Sequence, residues 1–233
     1  METILRGVVE ALQLLLSFDA DLREIVGLSL WVSGAALAIS VVMGVPVGVW
    51  LGLRQFPGRQ LLVALIYTGM GLPPVVVGLA VYLTLSRQGP LGDLGWLFTP
   101  TAMILAQVIL ALPMVAGFTM TAIAALPAQL ILQLRALGAT PAQVNLTLLY
   151  EARNGVLAAI VGGFGAIISE VGSVMMVGGN IDHKTRVLTT AIVLETRKGN
   201  FDLAIALGVV LLGLAFMANW LLLRLQGRLD PRM

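Results

Sequence analysis

The sequence predicts an all-α integral membrane protein with about five transmembrane helices, and three observations predict it. Hydrophobic residues fill 58% of the 233 positions and charged residues 11%, against about 25% in soluble domains. The mean hydropathy of +0.97 is more than a soluble core of this size can hide. The charges gather at the ends of long uncharged runs rather than along them, as membrane spans require. No shift in composition divides the chain, so residues 1–233 read as one transmembrane domain.

Several function classes drop out at once. Lysine and arginine total 14 and the acids 12, and the basic residues are scattered, so no nucleic-acid surface is expected. Cysteine is absent, which excludes disulfides, thiol catalysis and thiolate metal sites. A single histidine, without HExxH, GxSxG or a phosphate-binding loop, supplies no catalytic pair and no metal site.

Residues 1–18 set Ile4, Val8, Leu12, Leu15 and Leu16 on one face beside Glu2, Arg6 and Glu10. The apolar run is too short to cross ~30 Å of hydrocarbon. A signal peptide is the rival reading, but Ser17-Phe18-Asp19 offers no small-x-small cleavage site. The segment is expected to be an amphipathic helix lying at the interface. Residues 25–53 carry no formal charge and form the first expected span, with Pro46 kinking it late. Residues 61–86 form the second. Its centre, Gly69-Met70-Gly71-Leu72-Pro73-Pro74, must be broken or bent, because two prolines remove backbone donors. Such a break is tolerated only against protein or a watery cavity, so it either lines a pathway or is a packing kink.

Residues 101–125 are the third expected span, with Pro113 inside. Residues 156–177 are the fourth, crowded with small residues that let helices approach closely. Glu170 falls within it. A charge at mid-bilayer costs about 2.5–3.5 kcal/mol on insertion scales, so this carboxylate must face protein, water or a partner helix, or be protonated. It serves either a structural contact or a gate. Residues 178–200 read as a loop with a short amphipathic helix near 189–196. His183, Lys184, Arg186, Arg197 and Lys198 cluster there, as solvated charges or as a docking surface. Residues 203–223 are the fifth span, and Arg224, Arg228 and Arg232 anchor the tail.

Residues 126–155 interrupt this apolar pattern with Gln129, Gln133, Arg135, Gln143, Asn145, Glu151, Arg153 and Asn154. Gly138 suits the left-handed residue that closes a helix. Thr140 can then cap a second helix whose first position takes Pro141. The expected result is a helix, a sharp corner showing Ala136, Leu137 and Ala139, and another helix. An ordinary hairpin between spans is the plain alternative.

The run LRALGATPAQVNLTLLYEARNGVLAAI resembles the cytoplasmic coupling loop of permease subunits of ATP-binding-cassette importers. Gly138 falls on that family's glycine. The family Glu-Ala-Ala is Leu132-Gln133-Leu134 here and its late proline is missing, which removes a carboxylate from the knob. LPPVVVGLAVYLTLSRQGPLG (72–92), AQVILALP (106–113), Glu170-Val171-Gly172 and GGNIDHKT (178–185) are similar to segments of the tungstate- and molybdate-type permeases.

The resemblance implies a type I importer permease fold and uptake of tungstate, with molybdate or sulfate as alternatives. It implies that Leu134, Arg135, Ala136, Leu137, Gly138, Ala139, Thr140 and Pro141 form the coupling helix region that meets an ATPase. It implies that Pro73, Pro74, Glu170, Gly172 and Ser173 line or gate the pathway, and that His183, Lys184 and Arg186 meet an extracytoplasmic oxyanion-binding protein. It further implies a homodimer in the cytoplasmic (inner) membrane of a prokaryote, with two ATP-binding subunits that hold ATP and magnesium, and no cofactor in this chain. Basic residues divide evenly between the two faces, so orientation also rests on the resemblance. A stand-alone channel or secondary transporter is the reading from another class, and the chain shows no internal repeat to support it.

Overall fold

The computed structural model describes residues 20–229, so the expected interfacial helix at 1–18 and the last residues of the tail lie outside it. Among the described residues there is no strand. In chain order the helices are α1 (Ala20–Leu53), α2 (Arg59–Met70), α3 (Pro74–Leu85), α4 (Pro100–Ala124), α5 (Ala128–Ala136), α6 (Pro141–Glu151), α7 (Arg153–Ile168), α8 (Gly172–Gly178), α9 (Leu188–Lys198) and α10 (Phe201–Leu229). Three of them, α1, α4 and α10, are long and apolar enough to cross a membrane alone. Two bent pairs raise the number to five if each is one span: α2 with α3, bent by 100°, and α6 with α7, bent by 67°.

α1 and α4 form the central pair. Small residues allow their contact. A Cβ built on Gly48 would stand 2.5 Å from the Ala116 carbonyl oxygen, and one on Gly44 3.2 Å from that of Leu112. Backbones this close gain dispersion along their length, which is what joins helices where lipid removes the hydrophobic drive.

The bend between α2 and α3 follows from local chemistry. The Gly71 and Leu72 N–H groups close α2 on the Thr68 and Gly69 carbonyls. Pro73 then takes extended backbone, and Pro74 opens α3 at the position where its missing N–H costs nothing. The expected single span at 61–86 is therefore two helices joined at the two prolines.

The fourth expected span is also revised. Residues 156–177 do not form one helix: α7 ends at Ile168 and α8 begins at Gly172, so Glu170 stands in the gap and not inside a helix. The gap persists because side chains take over the freed backbone groups. Ser169 Oγ donates back to the Gly165 carbonyl at 2.8 Å, and Thr189 Oγ1 donates to the Glu170 carbonyl at 3.0 Å.

Three apolar clusters hold the ends and middle together. Val32, Ala36, Val81, Met103, Ala106, Ile167 and Val174 fill the centre. Val49, Ile123, Val144, Leu148 and Val156 bind the end of α1 to α6 and α7. Leu22, Leu188, Ala191, Leu207 and Val210 bind the start of α1 to α9 and α10. The α5–α6 hairpin and the segment around His183 thus lie at opposite ends of α1, which is about 50 Å long at 1.5 Å per residue over its 34 residues.

Candidate functional site

The hairpin corner has the geometry its sequence specifies. Gly138 has φ +80°, and nothing lies within 4 Å of where its Cβ would be. The Ala139 N–H donates to the Leu134 carbonyl at 3.1 Å and the Gly138 N–H to that of Arg135 at 3.0 Å, the paired bonds that end a helix on a left-handed residue. Thr140 Oγ1 accepts from the Gln143 N–H, and Gln143 Oε1 accepts from the Thr140 N–H at 2.8 Å, closing a reciprocal cap. Pro141 occupies the first turn of α6. The two faces of the corner differ. Leu134 packs inward on the Val144–Leu148 cluster, and so does Ala139, which the sequence placed on the outer face: the left-handed turn at Gly138 directs the chain back toward that cluster. Arg135, Ala136 and Leu137 point outward, with Leu137 84% exposed. The fixed turn carries a bare leucine at its tip.

The pathway candidates converge around two helix breaks. Val75, one residue past Pro74, lies against Gly172: a Cβ there would meet Val75 Cγ2 at 2.9 Å and Glu170 Oε1 at 3.4 Å. Gly78 faces Ser173, with 2.8 Å from its built Cβ to the Ser173 Cα. Glu170 Oε1 accepts from the Ser173 N–H at 2.9 Å, so the carboxylate holds the first turn of α8. Ser173 Oγ is buried without a hydrogen-bond partner among the described residues.

Gln107 is the residue that sequence reasoning missed. It is 3% exposed on α4, and its Nε2 donates to the Ile167 carbonyl, the penultimate residue of α7, at 3.0 Å. Its Oε1 has no hydrogen-bond partner among the described residues. Gln107, Ser33, Glu170 and Thr189 line a cavity of about 10 Å³ beside the break, the size of one water molecule. The signal was present: an amide inside an apolar span is costly unless it has a partner.

At the other end the charged cluster is less free than its composition suggests. Arg186 pairs with Asp182 at 2.6 Å, and His183 Nδ1 lies 2.8 Å from Glu24 Oε2. The Glu24 contact, with Asp182 and Asp21 nearby, raises the His183 pKa above its ordinary value. Lys184 is exposed. Thr185 is fully buried: its Oγ1 donates to the Gly178 carbonyl at 2.6 Å and accepts from the Ile181 N–H at 2.9 Å, fixing the turn that carries all three. The expected helix near 189–196 runs from Leu188 to Lys198 and is half-sunk, with Leu188, Thr190 and Ala191 buried. Glu195 is buried too, its pKa held down by Lys198 and Asn200. A cavity of about 360 Å³ opens here between α1, the His183 turn, α9 and α10.

Residues 44–233 match the family described as the inner membrane component of binding-protein-dependent transport systems. The chain belongs to that family. This permease is 46% identical over 216 residues to a probable anion ABC transporter permease of Haloferax volcanii, covering 91% of this chain and 93% of the other. It is 40% identical over 226 residues to a tungstate uptake system permease of Peptoclostridium acidaminophilum, covering 97% and 99%. Among solved structures, an inward-facing MetNI methionine ABC transporter chain superposes with a TM-score of 0.74 at 21% identity, covering 90% of this chain and 96% of that one. That likeness establishes the type I importer permease fold. The chain is a multi-pass membrane subunit and not an enzyme, because in this family ATP is hydrolysed by separate subunits. Its partners are therefore an ATPase, a binding protein and the bilayer.

Proposed function

We propose that this permease moves tungstate into a prokaryotic cell through the cytoplasmic membrane. It acts as a homodimer over two ATP-binding subunits, which hold the ATP and magnesium. An extracytoplasmic oxyanion-binding protein delivers the anion. Supporting this reading is full-length similarity to tungstate uptake permeases, at 40% over 97% of the chain, set against 29% over 71% for a molybdenum permease of Azotobacter vinelandii.

The geometry that carries the reading is the corner at Gly138. A turn fixed by paired backbone bonds and a reciprocal cap transmits displacement without bending. It is fused through α6 to α7, whose far end is the Ile168–Gly172 break. ATP-driven closure of the ATPase pair pushes on Leu137 and its neighbours, and the push reaches Glu170, Gly172 and Ser173. The Pro73–Pro74 bend lies against the same point. No lysine or arginine lies inside residues 25–53, 61–86, 101–125 or 156–177. A dianion held tightly would need charge-assisted donors, so affinity resides in the binding protein and the permease supplies a passage. Lys184, with the His183 and Arg186 turn, faces the binding protein.

Uptake of radiolabelled tungstate in cells lacking their own system tests this. Uptake is expected only when permease, ATPase and binding protein are expressed together, with weak competition by molybdate and none by sulfate. Uptake without the ATPase, or competition by molybdate at equal concentration to half or less, would discard the assignment.

A further inference from the structure

We propose that an anionic glycerophospholipid of the inner leaflet occupies the groove between the last four turns of α1 and the α6–α7 bend. It would act as a strut between span and coupling hairpin. The placement in the inner leaflet rests on the orientation adopted under the proposed function.

Two adjoining cavities make up the groove, about 460 Å³ and 440 Å³, sharing Val45, Pro46 and Leu149. The first is walled by Val49 and Leu53 of α1 and by Leu146 of α6. The second continues toward the membrane centre along Val42 of α1 and Val156 and Ile160 of α7; Arg153 also lines it, with its guanidinium engaged by the Tyr150 carbonyl and ring. From Val41 to Arg54 the groove follows α1 for about 20 Å at 1.5 Å per residue, more than the ~15 Å depth of one leaflet of a ~30 Å core. It is long and apolar enough for an acyl chain.

Charge argues for the headgroup. No acidic residue lines either cavity. Arg54 stands at the mouth with Asn145 opposite. Among the described residues no side-chain hydrogen bond or ion pair engages its guanidinium, whereas the neighbouring Arg59 spends its Nε on the Leu51 carbonyl at 2.9 Å. A phosphodiester at the mouth would receive a charge-assisted hydrogen bond from Arg54. Trp50, tilted 30° against Phe56 with ring centroids 4.4 Å apart, marks the headgroup level as interfacial aromatic residues do. Basic pockets between helices on the cytoplasmic side suit anionic headgroups for the same reason.

The position gives the lipid a consequence. One wall of the groove is α1 and the other is α6, the arm that follows the Gly138 corner. A chain seated there resists the approach of α6 to α1, so force applied at Leu137 passes into α7 instead of closing the groove.

The test is native mass spectrometry of the intact transporter, permease with its ATPase subunits, titrated with phosphatidylglycerol or phosphatidylcholine. The wild type is expected to retain phosphatidylglycerol preferentially. Arg54→Gln should weaken phosphatidylglycerol binding about fivefold and leave phosphatidylcholine unchanged, the effect of one basic residue near a charged surface. Val45→Trp should displace both lipids. Where that variant does not assemble, Leu146→Glu, at a position 69% exposed, sets a carboxylate near Arg54 and should abolish the preference. Equal retention of the two lipids by wild type, or a preference that survives Arg54→Gln, would overturn the proposal. So would a structure of the transporter with a second permease copy or an ATPase side chain in the groove. Retention is read without transport. Loss of ATP-driven tungstate uptake with the lipid preference intact therefore counts against the importer reading alone.

Discussion

The Glu170 carboxylate accepts a hydrogen bond from the Ser173 backbone N–H at 2.9 Å, three residues ahead of it. An acid that looks out of place in an apolar run is thereby a helix cap at a break. A cap needs an acceptor, not a charge. Glu170→Gln should keep uptake within about twofold of wild type. Glu170→Ala should lower stability by about 1 kcal/mol, the usual value of a lost cap, and reduce uptake. Thermal unfolding in detergent with uptake assays on both variants decides this. Equal loss in Gln and Ala would mean that the charge itself matters, and would return Glu170 to the gate.

Gln107 separates stability from transport. Its Nε2 binds the Ile167 carbonyl, yet that carbonyl also accepts from the Glu170 N–H at 3.2 Å, and the Gln107 Oε1 is unpaired among the described residues. Gln107→Leu therefore removes one bond and one unpaired acceptor together, and the two nearly offset at about 1 kcal/mol each. The expected outcome is a midpoint within a few degrees of wild type, with uptake falling because the end of α7 is no longer tied to α4. An unchanged uptake rate in a fully folded Gln107→Leu permease would leave the tie without a transport role.

Gly138 tests the lever. Its φ of +80° in open space makes any substitution a backbone question. Gly138→Val places a β-branched residue in left-handed backbone, costing about 1–3 kcal/mol locally. Gly138→Asn is tolerated there. Valine should stop uptake and weaken co-purification of the ATPase, with membrane insertion normal, while asparagine retains most of both. Thr140→Ala, losing one half of the cap at a cost of about 1 kcal/mol, should fall between them. Pull-down of the ATPase from membranes beside uptake reads all three.

How much of this was legible in sequence depended on whether the determinant was local. The backbone of the 136–141 corner was readable, because a glycine, a capping threonine and a first-turn proline act within a few residues, but the facing of Ala139 was not, since it depends on the Val144–Leu148 cluster it packs against. The Pro73–Pro74 break was readable as a break, though not its angle of 100°, which depends on what α3 packs against. The Ile168–Gly172 gap was not readable. No proline marks it, and the local bonds of Ser169 and Glu170 act together with Thr189 and Gln107, distant in sequence, which bind carbonyls beside it. The charged turn was legible as a cluster but not as pairs, since Glu24 and His183 lie 159 positions apart.

That last pair gives a pH dependence whose sign can be worked out. The His183 pKa is raised first by the hydrogen bond to Glu24, then by the Glu24 and Asp182 charges and, more weakly, by Asp21, with slight burial opposing. Lys184, Arg186 and Glu195 also line the cavity beside it. A folded-state pKa above the ordinary 6.5 means that the contact contributes fully below that value and is lost as pH rises through the raised one. With the imidazole 65% exposed, the effect should be small and weakened by salt. The turn at 180–187 should exchange its amide hydrogens more slowly at pH 5.5 than at pH 8, after correction for intrinsic exchange, and more so at low ionic strength. His183→Asn preserves the left-handed backbone, φ +51°, and removes the titrating ring. Its corrected protection should be flat with pH. A slope in His183→Asn as steep as in wild type would assign the dependence to the carboxylates and dismiss the clasp between α1 and the turn.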